Sequence, residues 1–308
     1  MSLFNAGPLA ELSDVSVFLE LSRMRRILVA TDFSARADRA IRRGALMARQ
    51  FDCDLVVAHV VDDDQAESLI QVERREAQNL LEKLSLGLRK SDGLRCEAEL
   101  ALGEPFEQIP ALAQTLEADL IILGPYRRDR LKNIFVGATA ERIIRSSATP
   151  VLMANGLPAA PYERVLLATD FSQNAERAIS TTMSLGLLGG AQVSAIHAYL
   201  AAADSLMART AANADHRKDY LLKEAATALA KLKELATATG LDLTDLLVEH
   251  IELSAAETIR GAASRIRAEL IVVGAQGRTA LSQAWLGSVS QDLLRFAEVD
   301  ILVIPTPR

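Results

Sequence analysis

Gly274, Gly277, Gly287 and Ser288 have the residue types and spacing to hold a phosphate, and Asp170, far upstream, is their acidic companion. The run before them, Leu270 to Val273, is short, apolar and β-branched and stops at Gly274, which predicts a buried strand. Glycine lets a backbone approach a ligand closely and adopt positive φ without steric cost. A small hydroxyl residue opening the next helix presents its Oγ and unpaired first-turn amides to an anion. The expected object is a strand, a phosphate-cradling loop and a helix N-terminus. An aspartate after a neighbouring strand bonds a ribose or base edge, or helps hold a metal on the phosphates.

The elements that must position these residues are written twice. Arg25–Ala30 (RRILVA) leads into Thr31-Asp32-Phe33-Ser34, and RVLLATDFS from Arg164 to Ser172 repeats it. Asp32 and Asp170 are 170 − 32 = 138 residues apart, as are His59 and His197, each closing a second apolar strand. ADLIILG at Ala118–Gly124 matches AELIVVG at Ala268–Gly274 with an offset of 274 − 124 = 150, so the second copy carries about 12 more residues. The extra residues fall around Leu200–Lys218, lengthening or preceding a long helix over Tyr220–Ala238. A repeat this long is a whole domain, not a solenoid unit.

Each copy reads strand, helix, strand, long helix, strand, helix, strand, helix, strand. Later strands are expected near Arg95–Ala101, Leu120–Leu123 and Val151–Met153, then near Asp242–Ile251, Leu270–Val273 and Ile301–Ile304. Such alternation predicts an α/β fold with doubly wound parallel sheets, whose ligands sit beyond the carboxyl ends of the strands. The expected division is an extension over 1–23, a first domain over 24–155 and a second over 156–308, with Asn155–Tyr162 as linker.

Bulk properties narrow the function classes. Half of the 308 residues are hydrophobic and 4% aromatic, which suits an aliphatic core. A net charge of −6 argues against a general nucleic-acid binder. Cys53 and Cys96 form neither a CxxC pair nor a disulfide framework, which points to a reducing, cytoplasmic setting. No apolar run nears the roughly 20 residues of a membrane span, and the N-terminus lacks a signal peptide's basic start.

Other chemistries find little support. No GxxxxGK[ST], GxGxxG or G-x-S-x-G is present, and His216 and His250 lack the companions of a metal site. The recurrence of His59 and His197 indicates a shared structural role, Ser34 and Ser172 read as helix N-caps, and Trp285 as a packing anchor.

From about Met24 to Pro305 the chain resembles a tandem universal stress protein, on three features: the strand–TDFS opening of each half, the histidine closing each second strand, and the strand–G-x2-G-x9-G-S element of the second half. The resemblance implies two five-stranded parallel sheets related by a pseudo-twofold axis. It also implies ATP, with or without Mg2+, in the second half. Carried over, Ala168, Thr169 and Asp170 would sit with the nucleoside and the His197–Ala198 backbone with the base. Gly274 would meet ribose, and Gly277, Arg278, Gly287, Ser288 and Val289 the phosphates.

The first copy departs from this pattern. Arg127 stands where Gly277 does, and Ala138 replaces Ser288. An arginine where backbone must approach phosphate obstructs that mode of binding, so the first half is expected to bind ATP weakly or not at all. Arg127, Arg128, Arg130 and Lys132 read as a solvated basic loop or a site for a different anion. Three functions follow: a nucleotide-binding regulator that acts through conformation or a protein partner, a slow ATPase or autophosphorylating enzyme using the same pocket, and a nucleotide-free scaffold. Single-domain relatives commonly pair through their last strands. The two copies here can satisfy that contact within one chain, as a monomer or within a homodimer.

Overall fold

The computed structural model describes residues 24–125, 138–200, 214–277 and 286–306. The expected N-terminal extension, the basic loop with Arg127, Arg278 and Trp285 lie outside the described residues.

In the first half β1 (Arg26–Ala30), α1 (Ala37–Phe51), β2 (Asp54–Val61), α2 (Glu67–Asp92), β3 (Cys96–Leu102), α3 (Pro105–Thr115), β4 (Leu120–Leu123), α4 (Ala138–Ser146) and β5 (Val151–Met153) follow one another. The second half repeats the series as β6 (Arg164–Ala168), α5 (Gln173–Ser184), β7 (Gln192–Tyr199), α6 (Ala214–Thr239), β8 (Leu243–His250), α7 (Ala255–Arg265), β9 (Leu270–Gly274), α8 (Ser288–Phe296) and β10 (Asp300–Ile304). The expected strands are observed to within two residues. Both long helices span 26 residues, so the extra residues of the second copy precede α6 and do not lengthen it.

The strands form one ten-stranded sheet in the order β3-β2-β1-β4-β5-β10-β9-β6-β7-β8. Within each half every pairing is parallel, and the halves join through an antiparallel β5–β10 pair. Alternation along the strands divides the core between the two faces. Ile27 and Val29 pack with α1 and α2, while Leu28 packs with α3 and α4. Leu152 and Leu302 belong to the first of these cores, and Val151 and Val303 to the second, so both cores run unbroken across the seam.

Leu152 faces Leu302 across the β5–β10 pair, and 302 − 152 = 150 is the repeat offset. A residue that meets its own repeat counterpart lies on a twofold axis, which places the pseudo-twofold here. Beside it Glu141 of α4 accepts from the Nε2 of its counterpart Gln291 at 2.7 Å and from Arg295 at 2.9 and 3.1 Å.

One side of the seam carries a second polar network. Asp300 is fully buried, 2.9 Å from the Nε of Arg43, accepting from the Tyr162 hydroxyl at 2.6 Å and the Gly156 amide at 2.7 Å. The Arg43 guanidinium lies 4.2 Å from the centre of the Tyr162 ring. Burial, reinforced by the Asp300 charge, pushes the Tyr162 phenol well above its ordinary pKa and keeps it a donor. The repeat counterparts of Asp300 and Arg43 are Pro150 and Thr181, so the network is not duplicated.

Candidate functional site

The same turn closes the first strand of each half. The Phe171 amide donates to Thr169 Oγ1 at 3.0 Å, the Ser172 amide to Asp170 Oδ1 at 3.0 Å and the Ala175 amide to Ser172 Oγ at 3.2 Å. Phe33, Ser34 and Ala37 repeat these bonds with Thr31, Asp32 and Ser34 at 3.0, 2.9 and 3.3 Å. Side-chain oxygens thus satisfy amides that the helices leave open. Phe33 and Phe171 turn through φ 56 and 60°, a left-handed corner that swings the chain from strand into helix and leaves the aspartate at the sheet edge.

The histidines lock this turn to the second strand. His197 Nδ1 lies 2.8 Å from the Thr169 carbonyl oxygen, and His59 Nδ1 2.7 Å from that of Thr31. Each ring also packs against the turn's phenylalanine with centroids 4.4 Å apart. Both imidazoles act as structural ties, the role their recurrence suggests.

At the carboxyl edge of the second half these pieces enclose a cleft of about 470 Å³. Its walls include Ala168, Thr169, Asp170, His197, Ala198, Gly274, Gly277, Gly287, Ser288 and Val289. Of the residues that the resemblance assigns to the nucleotide, Arg278 falls outside the described residues. The cleft sits where the strand order reverses between β6 and β9, the position at which doubly wound sheets bind ligands. Its volume is that of an ordinary small-molecule site.

The glycines are explained by close approach. None of Gly274, Gly277 and Gly287 has positive φ, which corrects one of the two reasons for expecting glycine there. A Cβ on Gly274 would stand 3.1 Å from the Asn174 carbonyl oxygen at the start of α5. Gly124 meets the start of α1 in the same way, 3.1 Å from Ala37 Cα, so in both halves this first glycine lets a helix start pack closely on the strand end. Gly277 is different. Its Cβ would stand 2.6 Å from Asp170 Oδ2, so even alanine would drive into the carboxylate that faces the cleft. Glycine at 277 therefore lets the loop and the aspartate share one site.

Helix α8 opens onto the cleft. Gly287 is its N-cap in extended conformation, without a side-chain cap, so Ser288, Val289 and Ser290 present first-turn amides at the cleft wall. Bonds that hold the described ends of the loop run from the Ala275 amide to Ile304 O at 2.8 Å, from the Gly287 amide to Ala275 O at 2.8 Å, and from Ser290 Oγ to Gly274 O at 2.7 Å. No acidic residue occupies the first turn of α8, which leaves the positive end of its dipole uncancelled. These features can hold an anion on backbone amides with a carboxylate a short distance away.

The first half has a cleft of about 410 Å³ at the equivalent place, with a different lining. Asp32 lies 3.9 Å from Arg36, where the second half has Asn174. Burial pushes the Asp32 carboxyl up, but the Ser34 hydrogen bonds and the Arg36 charge outweigh it and hold the pKa below the usual value. Glu141 sits in the first turn of α4, opposing an anion at that N-terminus where Gln291 is neutral in α8.

Several lining residues escape the sequence argument. Gln276 is buried at the loop's start, and Ser290 supplies the bond to Gly274. Glu224, Thr227, Ala228 and Lys231 of α6 also wall the second cleft. Their spacing of three and four residues was the available signal, but a polar helical stripe ordinarily faces solvent.

Two doubly wound halves sharing one sheet, each with a cleft at its switch point, define a duplicated α/β architecture. The model of the universal stress protein family matches residues 24–155 and 161–305, and the chain belongs to that family. A universal stress protein of Mycobacterium tuberculosis is 25% identical over 304 residues, covering 90% of this chain and 96% of its own length. One from Methanocaldococcus jannaschii is 27% identical over 138 residues, 42% of this chain and 81% of the relative. The crystal structure of a universal stress protein from Archaeoglobus fulgidus superposes with a TM-score of 0.66 at 19% identity, over 91% of this chain and 98% of that one, and shares the fold. Among the described residues no helix is long and apolar enough to cross a membrane.

Proposed function

We propose that the second half binds an adenine nucleotide, ATP with or without Mg2+, in the cleft between β6 and β9. The first half in this reading is a partner domain with a degenerate site. The observation that carries the reading is the convergence of Asp170, the Gly274–Gly277 turn and the first amides of α8 on one cleft. Asp170 and the His197–Ala198 backbone take the nucleoside, and Gly274 the ribose. Gly277, Arg278, Gly287, Ser288 and Val289 take the phosphates, supported by the amides and dipole of α8. Occupancy acts by favouring the conformation that binds nucleotide better and so changing what a protein partner meets. The setting is the cytoplasm, consistent with two buried free cysteines.

The test is titration of labelled ATP, with and without Mg2+, against wild type and Gly277→Arg, which copies Arg127 of the first half. Micromolar-to-millimolar binding by the wild type, lost in a folded Gly277→Arg, is the expected result. No binding by the wild type rejects the reading. Nucleotide turnover abolished by the same substitution would make the protein an enzyme.

A further inference from the structure

The two long helices are built to one length and one ending, yet they treat the clefts differently. Gly93 and Gly240 follow α2 and α6 with φ 66° each, which sets the helices in register with an offset of 240 − 93 = 147. In this register Glu224, Thr227, Ala228 and Lys231 correspond to Ala77, Leu80, Leu81 and Leu84. In the first half Ala77 clusters with Val61 and Ile70, packed against Phe33, while Leu81 is fully buried and Leu84 packs on the core. Helix α2 therefore seals its side of the sheet edge with apolar contacts, and no α2 residue lines the first cleft.

Helix α6 keeps apolar contacts through Ala228, Leu232 and Leu235. Between and before these residues it turns a carboxylate, a hydroxyl and an ammonium to the cleft, those of Glu224, Thr227 and Lys231. The Lys231 ammonium lies 5.7 Å from the centre of the Phe171 ring, over the turn that carries Asp170. Among the described residues Lys231 is the one lysine or arginine lining the cleft, whereas Asp170 and Glu224 both bring negative charge to it. A polyanion entering beside carboxylates gains from a cation at the cleft wall, because like charges within a few ångströms disfavour one another.

Resting on the reading above, we propose that α6 is part of the ligand site and that Lys231 is a specificity residue that selects phosphorylated over uncharged ligands. Lysine is suited to this as a point charge on a flexible stem that reaches in from the cleft mouth. The first half, with Leu84 at the corresponding place, lacks that contact.

The experiment is calorimetric titration of the full chain with ATP and, separately, with adenosine, at low and high salt. Wild type is compared with Lys231→Leu, Lys231→Gln and Lys231→Arg, and Gly277→Arg serves as the control for the site itself. Lys231 is exposed, so the folded state is expected to persist in all three variants, checked by circular dichroism. We expect Lys231→Leu and Lys231→Gln to weaken ATP by roughly 3- to 10-fold, leave adenosine unchanged and flatten the salt dependence, with Lys231→Arg near wild type. ATP affinity unchanged in Lys231→Leu while Gly277→Arg abolishes it overturns the role of Lys231 and leaves the nucleotide site standing. Equal losses of ATP and adenosine also overturn it. A wild type that binds no ATP overturns both.

Discussion

After β4 the first half continues Gly124-Pro125, with a salt-bridged Asp32 beside it and Glu141 at the start of α4. After β9 the second half continues through Ala275 and Gln276 to Gly277, with Asp170 beside it and a neutral first turn on α8. The hydrogen bonds of the Thr-Asp-Phe-Ser turn have nearly the same lengths in both halves, 3.0 and 2.9 Å against 3.0 and 3.0 Å, and the halves part in the loop after the fourth strand of each. The two halves share what the sheet needs and differ in the residues that the proposal assigns to the ligand. Gly124 and Gly274 are both retained because a helix start presses on each. Only the second half has glycine at the following position, 277, where a carboxylate presses from the cleft side.

The seam shows the same division of labour. On a twofold axis a residue faces its counterpart, so an acid at both 141 and 291 would set two carboxylates together. The pairing of Glu141 with Gln291 removes that conflict and puts the acid on α4, leaving the first turn of α8 neutral. The Arg43–Asp300–Tyr162 cluster, present once, adds a contact that only first half against second half can make.

The largest effect in any test of this asymmetry belongs to that cluster. Asp300→Ala leaves the Arg43 charge buried without its partner and is expected to cost about 3–5 kcal/mol, read by denaturant unfolding. Gly277→Ala comes next: its methyl displaces the Asp170 carboxylate, and ATP affinity is expected to fall roughly tenfold with unchanged stability, read by calorimetry. Gln291→Glu faces Glu141 with a second acid and places charge in the first turn of α8. Unfolding should show a loss of about 1–2 kcal/mol, and titration an ATP affinity lower by roughly 2- to 5-fold. Adding Glu141→Gln to that variant is expected to restore stability and leave affinity low, which separates the seam from the site.

The smallest effect concerns the two buried cysteines, both in the first half. Burial pushes the Cys53 and Cys96 thiols up to about 11 from 9.0. A raised folded pKa contributes stability that is present below pH 9 and lost as pH rises towards 11, where only the unfolded chain ionises freely. A fall in melting temperature across that window, reduced in Cys53→Ala/Cys96→Ala, is the expected outcome, with slow thiol labelling of the native protein at pH 8.

The strands' places along the chain were legible because Leu120–Leu123, Val151–Met153 and Leu270–Val273 are apolar on both faces and bounded by turns. The repeat in sequence exposed the duplicated frame, and the contrast of Gly277 with Arg127 marked where the halves differ. The antiparallel joining of β5 to β10 was foreshadowed only by likeness to strand-paired relatives. Tertiary features stayed hidden for physical reasons. Glu141 and Gln291 meet across the axis from 150 positions apart, and neither has a local signature. Lys231 and Glu224 lie on a helix that looks solvated until β7 and β8 are placed beneath it. Glycine's role was legible in kind, but backbone approach and not positive φ is what the fold requires of it.

The most direct test of the unequal halves is the stoichiometry of ATP binding to the full chain, measured by calorimetry on wild type and Gly277→Arg. One nucleotide per chain, with no binding left in Gly277→Arg, is the predicted result. Two equivalent sites per chain, or a wild-type isotherm in Gly277→Arg, would contradict it.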